Sequence, residues 1–394
     1  MCPNRKSRTF STAADRSLDF GDFRAAVRSL LVEGEEPTDE QLRELFDHFD
    51  KATILFSFFL PFNGRLLQDG DGRLNENEAA RFHELVVRKV RELRVAFVVV
   101  DFQNDFIDGS MGLKYGEAKQ DPTEVIEPIN ELLDRHSAFH LVVYSLDWHP
   151  EDHISFYEHA RNADRLLSEA DRSRVLKPFD LVRFERPDCE QVLYPPHCVQ
   201  NTKGAALHKK LRVVEGGRRV FKGTDRFVDS YSAFMNNRGE ISTPLNEILI
   251  DEEIDAIFVC GLALDICVFS TARDGARLGF LSSIVEDCSR GLSEAQIERT
   301  RRELAERNVP YVSRRQVGEF LDERRVHFAW VRELAKRAAD DLPTIPVRSA
   351  GAEEEKAVEQ AEEPNGTTAH SNGVPRPQPR RRIAAMSPPA ICFS

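Results

Sequence analysis

The sequence has no long apolar run: its most apolar early stretch, ATILFSFFLPF, is 11 residues, too short to span a bilayer. It also has no CxxC pair. Seven cysteines stand scattered at 2, 189, 198, 260, 267, 288 and 392, an odd set that does not form a disulfide framework. A reduced, cytoplasmic compartment fits that usage. There is no excess of positive charge either. The 54 basic and 66 acidic residues leave a net −12, which argues against a sequence-independent grip on nucleic acid or an anionic membrane. The first residues, MCPNRKSRTFSTAADRS, lack the apolar centre of a signal peptide, though their Arg and Ser content leaves an organellar address open. The remaining partner classes are small molecules, cations and proteins, and self-association into a homo-oligomer stays open.

What is present suffices for a core: 394 residues, 41% hydrophobic and 30% charged. Residues 1–18 and 341–394 read as disordered ends; the second changes abruptly to Pro, Ala, Glu, Ser and Arg and cannot bury enough apolar surface to offset its ordering entropy. Residues 19–94 carry Leu, Phe and Val at helical spacing, for example Phe20, Phe23, Val27 and Leu30, and predict a small all-α module. At 95 the period changes. VAFVVVD is a continuous β-branched run, as in a strand buried on both faces of a parallel sheet. Similar runs at 140–146, 218–222, 255–260 and 281–285, with an edge strand near 310–312, alternate with helical segments at 122–136, 264–279 and 293–307. The pattern predicts an α/β domain over 95–340, a three-layer fold with a parallel sheet, closed by a helix over 316–339.

Open α/β sheets bind ligands at the carboxyl ends of their strands, so the polar residues there come first. Asp101 ends the first run, Lys222 ends RRVFK, and Cys267 follows the run that ends at Gly261, at the entrance of a helix. Singly, these read as a helix cap, a snorkelling lysine and a small core hydrophobe. Together they make a nucleophile: a thiol at a helix N-terminus, a carboxylate to take its proton and an ammonium to balance the charge. The segment SLDWHPEDHISF adds Asp147, His149 and His153, and YPPHC adds His197. Carboxylate and imidazole suit a borderline divalent metal, and so few protein ligands would leave positions open for substrate. The plain alternative is a turn held by a local hydrogen bond. His136, His140, His159 and His208 have no companion ligands and read as ordinary histidines.

VVVDFQNDF, SLDWHPEDHISF, YPPHCVQNTKGA, VFKGTD and GLALDICVFSTARDGARLG, in this order, resemble the nicotinamidases of the isochorismatase-like cysteine hydrolase superfamily over about 95–320. The resemblance implies a triad of Asp101, Lys222 and Cys267. It implies metal ligands Asp147, His149, His153 and His197, with zinc in first place and iron or manganese as alternatives. It implies an oxyanion hole from the Ala263 and Cys267 amides, the former turned by a cis Leu262–Ala263 peptide. Phe106 and Tyr194 match the rings that hold the pyridine; where the family has Trp before PxHC, this chain has Tyr194. The implied activity is hydrolysis of nicotinamide to nicotinate and ammonia in NAD salvage. Two rivals are a metal-independent hydrolase of the same superfamily and a calcium-dependent interaction protein with an inert hydrolase domain. The stretch 157–193 is longer than in compact members.

The helical module holds one further signal. An EF-hand loop places oxygen ligands at positions 1, 3, 5, 9 and 12 and Gly at 6. Deleting 52–68 would join Asp50 and Lys51 to Asp69 and give DKDGDGRLNENE, with Asp50, Asp69, Asp71, Asn75 and Glu78 as the oxygen ligands and Gly72 at position 6. The expectation is an ancestral calcium loop interrupted by an apolar insertion, so that calcium binds weakly or not at all in the full chain.

Overall fold

A computed structural model describes residues 17–51 and 72–339. Residues 1–16 and 341–394 of the expected disordered ends, the expected insertion at 52–68, and Asp69 and Asp71 of the calcium loop lie outside these residues, whereas Leu18, expected in the first of those ends, stands in a strand. Near the N-terminus, β1 (Leu18–Asp19) pairs antiparallel with β2 (Arg73–Leu74), with Leu18 opposite Leu74. Each strand runs into a helix in the same way. Asp19 caps the helix Phe20–Ser29 by accepting from the Asp22 N–H, and Asn75 caps Glu76–Phe82 in a reciprocal capping box with Glu78. A third helix, Asp39–Lys51, lies between them in sequence.

Six strands form one sheet: β3 (Val95–Val100), β4 (Leu141–Asp147), β8 (Arg218–Lys222), β9 (Ala256–Leu262), β10 (Leu281–Arg290) and β11 (Tyr311–Val312). Their order is β11-β10-β9-β3-β4-β8 and every pairing is parallel. All residues of β3, β4 and β9 are buried, as strands covered on both faces require. The chain proceeds from β3 to β4 on one side and later reaches β9 on the other. The carboxyl ends of β3, β4 and β9 therefore flank a topological switch point, the place where open α/β sheets bind their ligands.

The module expected to be all-α contains the β1–β2 pair, because Leu18 and Leu74 meet ahead of the two capped helices, and three further features of the sheet domain differ from the sequence reading. Residues 157–193 contain a second, three-stranded sheet of β5 (Leu166–Leu167), β6 (Leu181–Arg186) and β7 (Asp188–Val192), packed over its own small core of Ile154, Ala160, Leu167, Val182, Phe184 and Leu193. The closing helix is two helices, Arg314–Glu323 and Phe328–Ala339, because Arg324 adopts a left-handed φ of 57° that ends the first. The Leu262–Ala263 peptide is trans; the turn is made instead by the left-handed backbone of Ala263, at φ 55° and ψ 61°.

The helical module shares the main core with the sheet domain, whose apolar cluster runs without a break from Phe23 to Ala335. Backbone bonds reinforce the junction: Val326 donates to the Leu30 carbonyl and Val32 donates to that of Val326. On the sheet face, the buried Trp330 lies against Phe258 at 5.2 Å and donates from Nε1 to the Ser282 carbonyl. No helix among the described residues is long and apolar enough to cross a membrane, and the five described cysteines are free thiols.

Candidate active site

The switch point collects the residues at the strand ends. Asp101 follows β3, Asp147 ends β4, Lys222 ends β8, and Cys267 lies in the π-type turn Leu264–Val268 just beyond β9. All four are buried. Lys222 is the hub. Its Nζ lies 2.8 Å from Asp101 Oδ2, 2.5 Å from Asp147 Oδ1, 3.0 Å from the Ser230 carbonyl and 3.5 Å from Cys267 Sγ. Burial alone would lower the Lys222 pKa, but the surrounding Asp101, Asp147 and thiol hold it well above the usual value, so the ammonium persists.

Burial pushes the Asp101 carboxyl up despite the opposing pull of Lys222, which moves it in the direction that suits a base. Its backbone has a left-handed φ of 51°, and Ser145 donates from Oγ to Oδ1 at 2.9 Å. Oδ2 makes the ion-pair contact with Lys222 but accepts no well-directed hydrogen bond among the described residues, which leaves it a lone pair for a proton. Its place at a helix entrance does not by itself make Cys267 a thiolate. Burial raises the Cys267 pKa well above its ordinary value, and Lys222 only partly offsets this. At rest Cys267 is a thiol, and it needs its neighbouring base.

Two glycines let the backbone close around these groups. Gly261 has φ 126°, and a Cβ there would lie 2.1 Å from the Val100 carbonyl oxygen, so only glycine keeps β9 against β3 at the nucleophile. Gly223 has φ 64°, and its Cβ would meet His149 Cε1 at 2.4 Å.

Beside the triad, one carboxylate oxygen of Asp147 and one ring nitrogen each of His149 and His197 lie within 4.8 Å of one another, all buried. Asp147 Oδ2 is 3.5 Å from His149 Nε2 and 3.9 Å from His197 Nε2. The other ring nitrogens are committed: His149 Nδ1 to the Gly223 carbonyl at 3.0 Å and His197 Nδ1 to the Pro195 carbonyl at 2.8 Å. This tautomer turns both Nε2 lone pairs toward Asp147, as metal-ligating histidines require. His153 stacks on His149 with ring centres 4.2 Å apart, but it groups with His149 and Asp229 rather than with Asp147 and His197. Its Nδ1 contacts Ser155 Oγ at 2.7 Å, and its buried Nε2 has no partner among the described residues.

Burial and the neighbouring His149 bring the His197 pKa down to about 4, and the same two causes hold His153 well below its usual value. For His149 the penalty of burial is outweighed by Asp147, and its pKa rises. Burial opposes ionisation of Asp147, but Lys222 and His149 overcome it and keep the carboxylate charged. The neutral imidazoles of His197 and His153 and the ionised carboxylate of Asp147 are forms that bind a divalent cation, and His149 must give up the proton that Asp147 favours on it to join them. The donor set and the orphaned His153 nitrogen therefore fit such an ion.

Phe106 and Tyr194 are buried beside His197, each with its ring centre 5.7 Å from the imidazole, and Tyr194 Oη meets Tyr231 Oη at 3.2 Å. Ala263 stands at the mouth of the nucleophile turn. Four residues escaped the sequence reading. Gln103 pins Asp147 by accepting from its N–H and donating to its carbonyl. Ser145 orients Asp101. Asp265 accepts from the Leu292 and Ser293 amides and ties the nucleophile turn to the loop after β10. Asp229 faces His149 and His153. Gln103 had a signal in its position two residues after Asp101, whereas loop acids such as Asp229 cannot be told from surface acids before their burial is known. Of the calcium set, Asp50 lies in the helix Asp39–Lys51, while Asn75 and Glu78 form the capping box.

A family model described as "Isochorismatase domain" matches residues 95–316. The chain is 33% identical to a nicotinamidase of Acinetobacter baylyi over 234 residues, covering 59% of this chain and 99% of that one. It is 31% identical to a nicotinamidase of Saccharomyces cerevisiae over 233 residues, covering 55% and 98%. A solved structure of the yeast nicotinamidase aligns with a TM-score of 0.47 at 31% identity, covering 55% of this chain and 99% of that one.

Proposed function

This chain belongs to the isochorismatase domain family and is an amide hydrolase, and we propose that its substrate is nicotinamide, which it cleaves to nicotinate and ammonia in NAD salvage. The observation that carries this reading is the convergence of Asp101, Lys222 and Cys267 beside a buried carboxylate–imidazole cluster with two aromatic rings next to it.

In the proposed reaction Asp101 takes the proton of Cys267, and Sγ attacks the carboxamide carbon. The oxyanion forms against the Ala263 and Cys267 amides. Asp101 then returns the proton to the departing nitrogen, ammonia leaves, and water hydrolyses the thioester to release nicotinate and restore the thiol. Lys222 holds the charge of Asp101 and of the developing thiolate in one buried network. Phe106 and Tyr194 hold the pyridine ring by its faces and edges. Asp147, His149 and His197, with His153 beside them, would hold a divalent ion, zinc in first place. When bound, such an ion would supply Lewis-acid character for a heteroaromatic nitrogen, and the residues that hold it would thereby help to orient the carboxamide.

The test is ammonia release from nicotinamide by the purified full chain, before and after chelator treatment and metal restoration. Turnover that falls on chelation and returns with zinc supports the reading. Absence of turnover in the metal-loaded chain refutes the substrate, and turnover indifferent to chelation refutes the metal.

The helical module carries a secondary reading: a calcium loop of Asp50, Asp69, Asp71, Asn75 and Glu78, interrupted by residues 52–68. The acid three residues after the cap, in Asn75–Glu78, is the feature that favours it.

A further inference from the structure

A buried side-chain contact joins the three-stranded insertion to the metal-type cluster. Gln191, on β7 and opposite Val182 of β6, donates from Nε2 to Asp229 Oδ2 at 3.0 Å and to the Val192 carbonyl at 2.9 Å. Gln191 and Asp229 are both buried. The other oxygen of Asp229, Oδ1, accepts from the Ser230 N–H at 2.8 Å. One Asp229 oxygen lies within 4.8 Å of ring nitrogens of both His149 and His153. His153, a member of this same group, also carries a fully buried Nε2 with no partner among the described residues.

Charge explains why a second carboxylate is buried here. Asp147 cannot compensate a divalent ion alone, since its Oδ1 is already engaged by Lys222 at 2.5 Å. Asp101 is likewise paired with that ammonium. Counted formally, the three buried carboxylates Asp101, Asp147 and Asp229 outnumber the one buried ammonium, Lys222, which pairs with the first two, and leave a surplus of two negative charges. Buried charge persists only when it is paired or bound to a metal. A divalent cation matches that surplus, and without Asp229 the loaded site would carry an unbalanced positive charge.

We propose that Asp229 is the charge-compensating carboxylate of the metal centre, fixed against His149 and His153 by Gln191, so that the insertion sets how tightly the ion is held. This rests on the metal part of the function proposed above. Asp229 is a positioning residue here: it acts on the ion and its histidines, not on the substrate. The insertion thereby acquires a role at the site. β7 leads directly into Tyr194 and His197, and the Tyr194 N–H donates to the Ser155 carbonyl, beside the hydroxyl that contacts His153.

The experiment measures zinc affinity of the full chain by competition with a chelating dye, together with the rise in melting temperature that zinc produces. Asp229→Asn keeps the shape and removes the charge; it is expected to weaken zinc binding by about 10–100-fold, the usual range for groups that support metal ligands. Asp229→Glu should recover part of the loss, and Gln191→Ala should weaken zinc in the same direction by a smaller factor. Zinc affinities of Asp229→Asn and the unchanged chain within twofold of each other would overturn the proposal while leaving the metal reading intact. Should Asp229→Asn not fold, Gln191→Ala decides alone, and unaltered affinity there refutes the role of the insertion. An unchanged chain that binds no zinc overturns the metal reading and this proposal together.

Discussion

Replacing Lys222 with Met removes the one ammonium in the triad while keeping the length of the side chain. In the native site Nζ lies 2.8 Å from Asp101 Oδ2 and 2.5 Å from Asp147 Oδ1. At an effective dielectric of about 20, a contact of 2.8 Å is a gross attraction of roughly 6 kcal/mol, most of which offsets desolvation. The net effect of stranding the partners of a buried ion pair is about 3–5 kcal/mol, and that is the expected loss of stability near pH 7. The sign with pH follows from Asp147. Lys222 and His149 hold its folded pKa below the unfolded value of about 3.9, so its contribution is present above that value and is lost as pH falls through the folded pKa. In Lys222→Met the stranded carboxylates can take up a proton as the pH falls, which relieves their penalty. The stability gap should therefore be widest near pH 7 and narrow toward about pH 4. Urea unfolding followed by tryptophan fluorescence reads it, since Trp330 is buried against Phe258 in the main core. A gap below about 1 kcal/mol at pH 7, or one that does not narrow with falling pH, would refute the buried-network argument. Turnover should fall by about 10²–10⁴-fold in the same variant, because Asp101 and the thiol lose the charge that couples them.

Cys267→Ala should abolish turnover and retain nicotinamide binding by calorimetry, whereas Cys198→Ala should still turn over; the reverse pattern would move the nucleophile to Cys198. His149→Ala should lose the metal and most activity yet leave Cys267 open to a small alkylating agent, with a rate that climbs with pH because burial keeps the sulfur protonated. Mass spectrometry of the labelled cysteine checks this, and loss of labelling along with the metal would mean that the ion tunes the thiol. Gly261→Ala forces a Cβ to 2.1 Å from the Val100 carbonyl at a φ of 126°, so a loss of about 3 kcal/mol or more is expected in urea unfolding. The full chain should bind calcium weakly or not at all at the 50–78 loop, and a version lacking 52–68 should bind it and melt higher. Calorimetric titration of both decides, and tight binding to the full chain that Glu78→Gln abolishes would reverse the reading.

The parts of the fold that the amino-acid order reveals are those governed by a single physical effect. β3, β4 and β9 are buried on both faces, so hydrophobicity alone writes them as unbroken apolar runs. The position of Asp101, Lys222 and Cys267 directly beyond such runs then makes their meeting foreseeable, because parallel strands bring their carboxyl ends to one edge. The inserted sheet is different. Val182 and Phe184 of β6 point into a small core while Arg183, Glu185 and Arg186 face solvent, and a single short alternation among charged residues is easily read as loop. Backbone choices were equally hidden. Nothing in Leu262–Ala263 distinguishes a left-handed Ala263 from a cis link, and Arg324 ends a helix at a position where glycine is the usual signal.

The chemistry of the site depends on a quantity that no motif carries, namely how far each group is from water. A thiol beside a lysine generally favours the thiolate, but Cys267 is buried, and desolvation outweighs the pull of Lys222. The same burial makes the charge count matter. On a surface, Asp229 would be one more acid among 66 acidic residues; enclosed with His149 and His153, it bears on which cation the site can hold. The linear motifs name the donors that converge on the site. The balance of charge among them, and with it the affinity for an ion, is set by residues such as Gln191 that carry no chemistry of their own and act by holding a carboxylate in place.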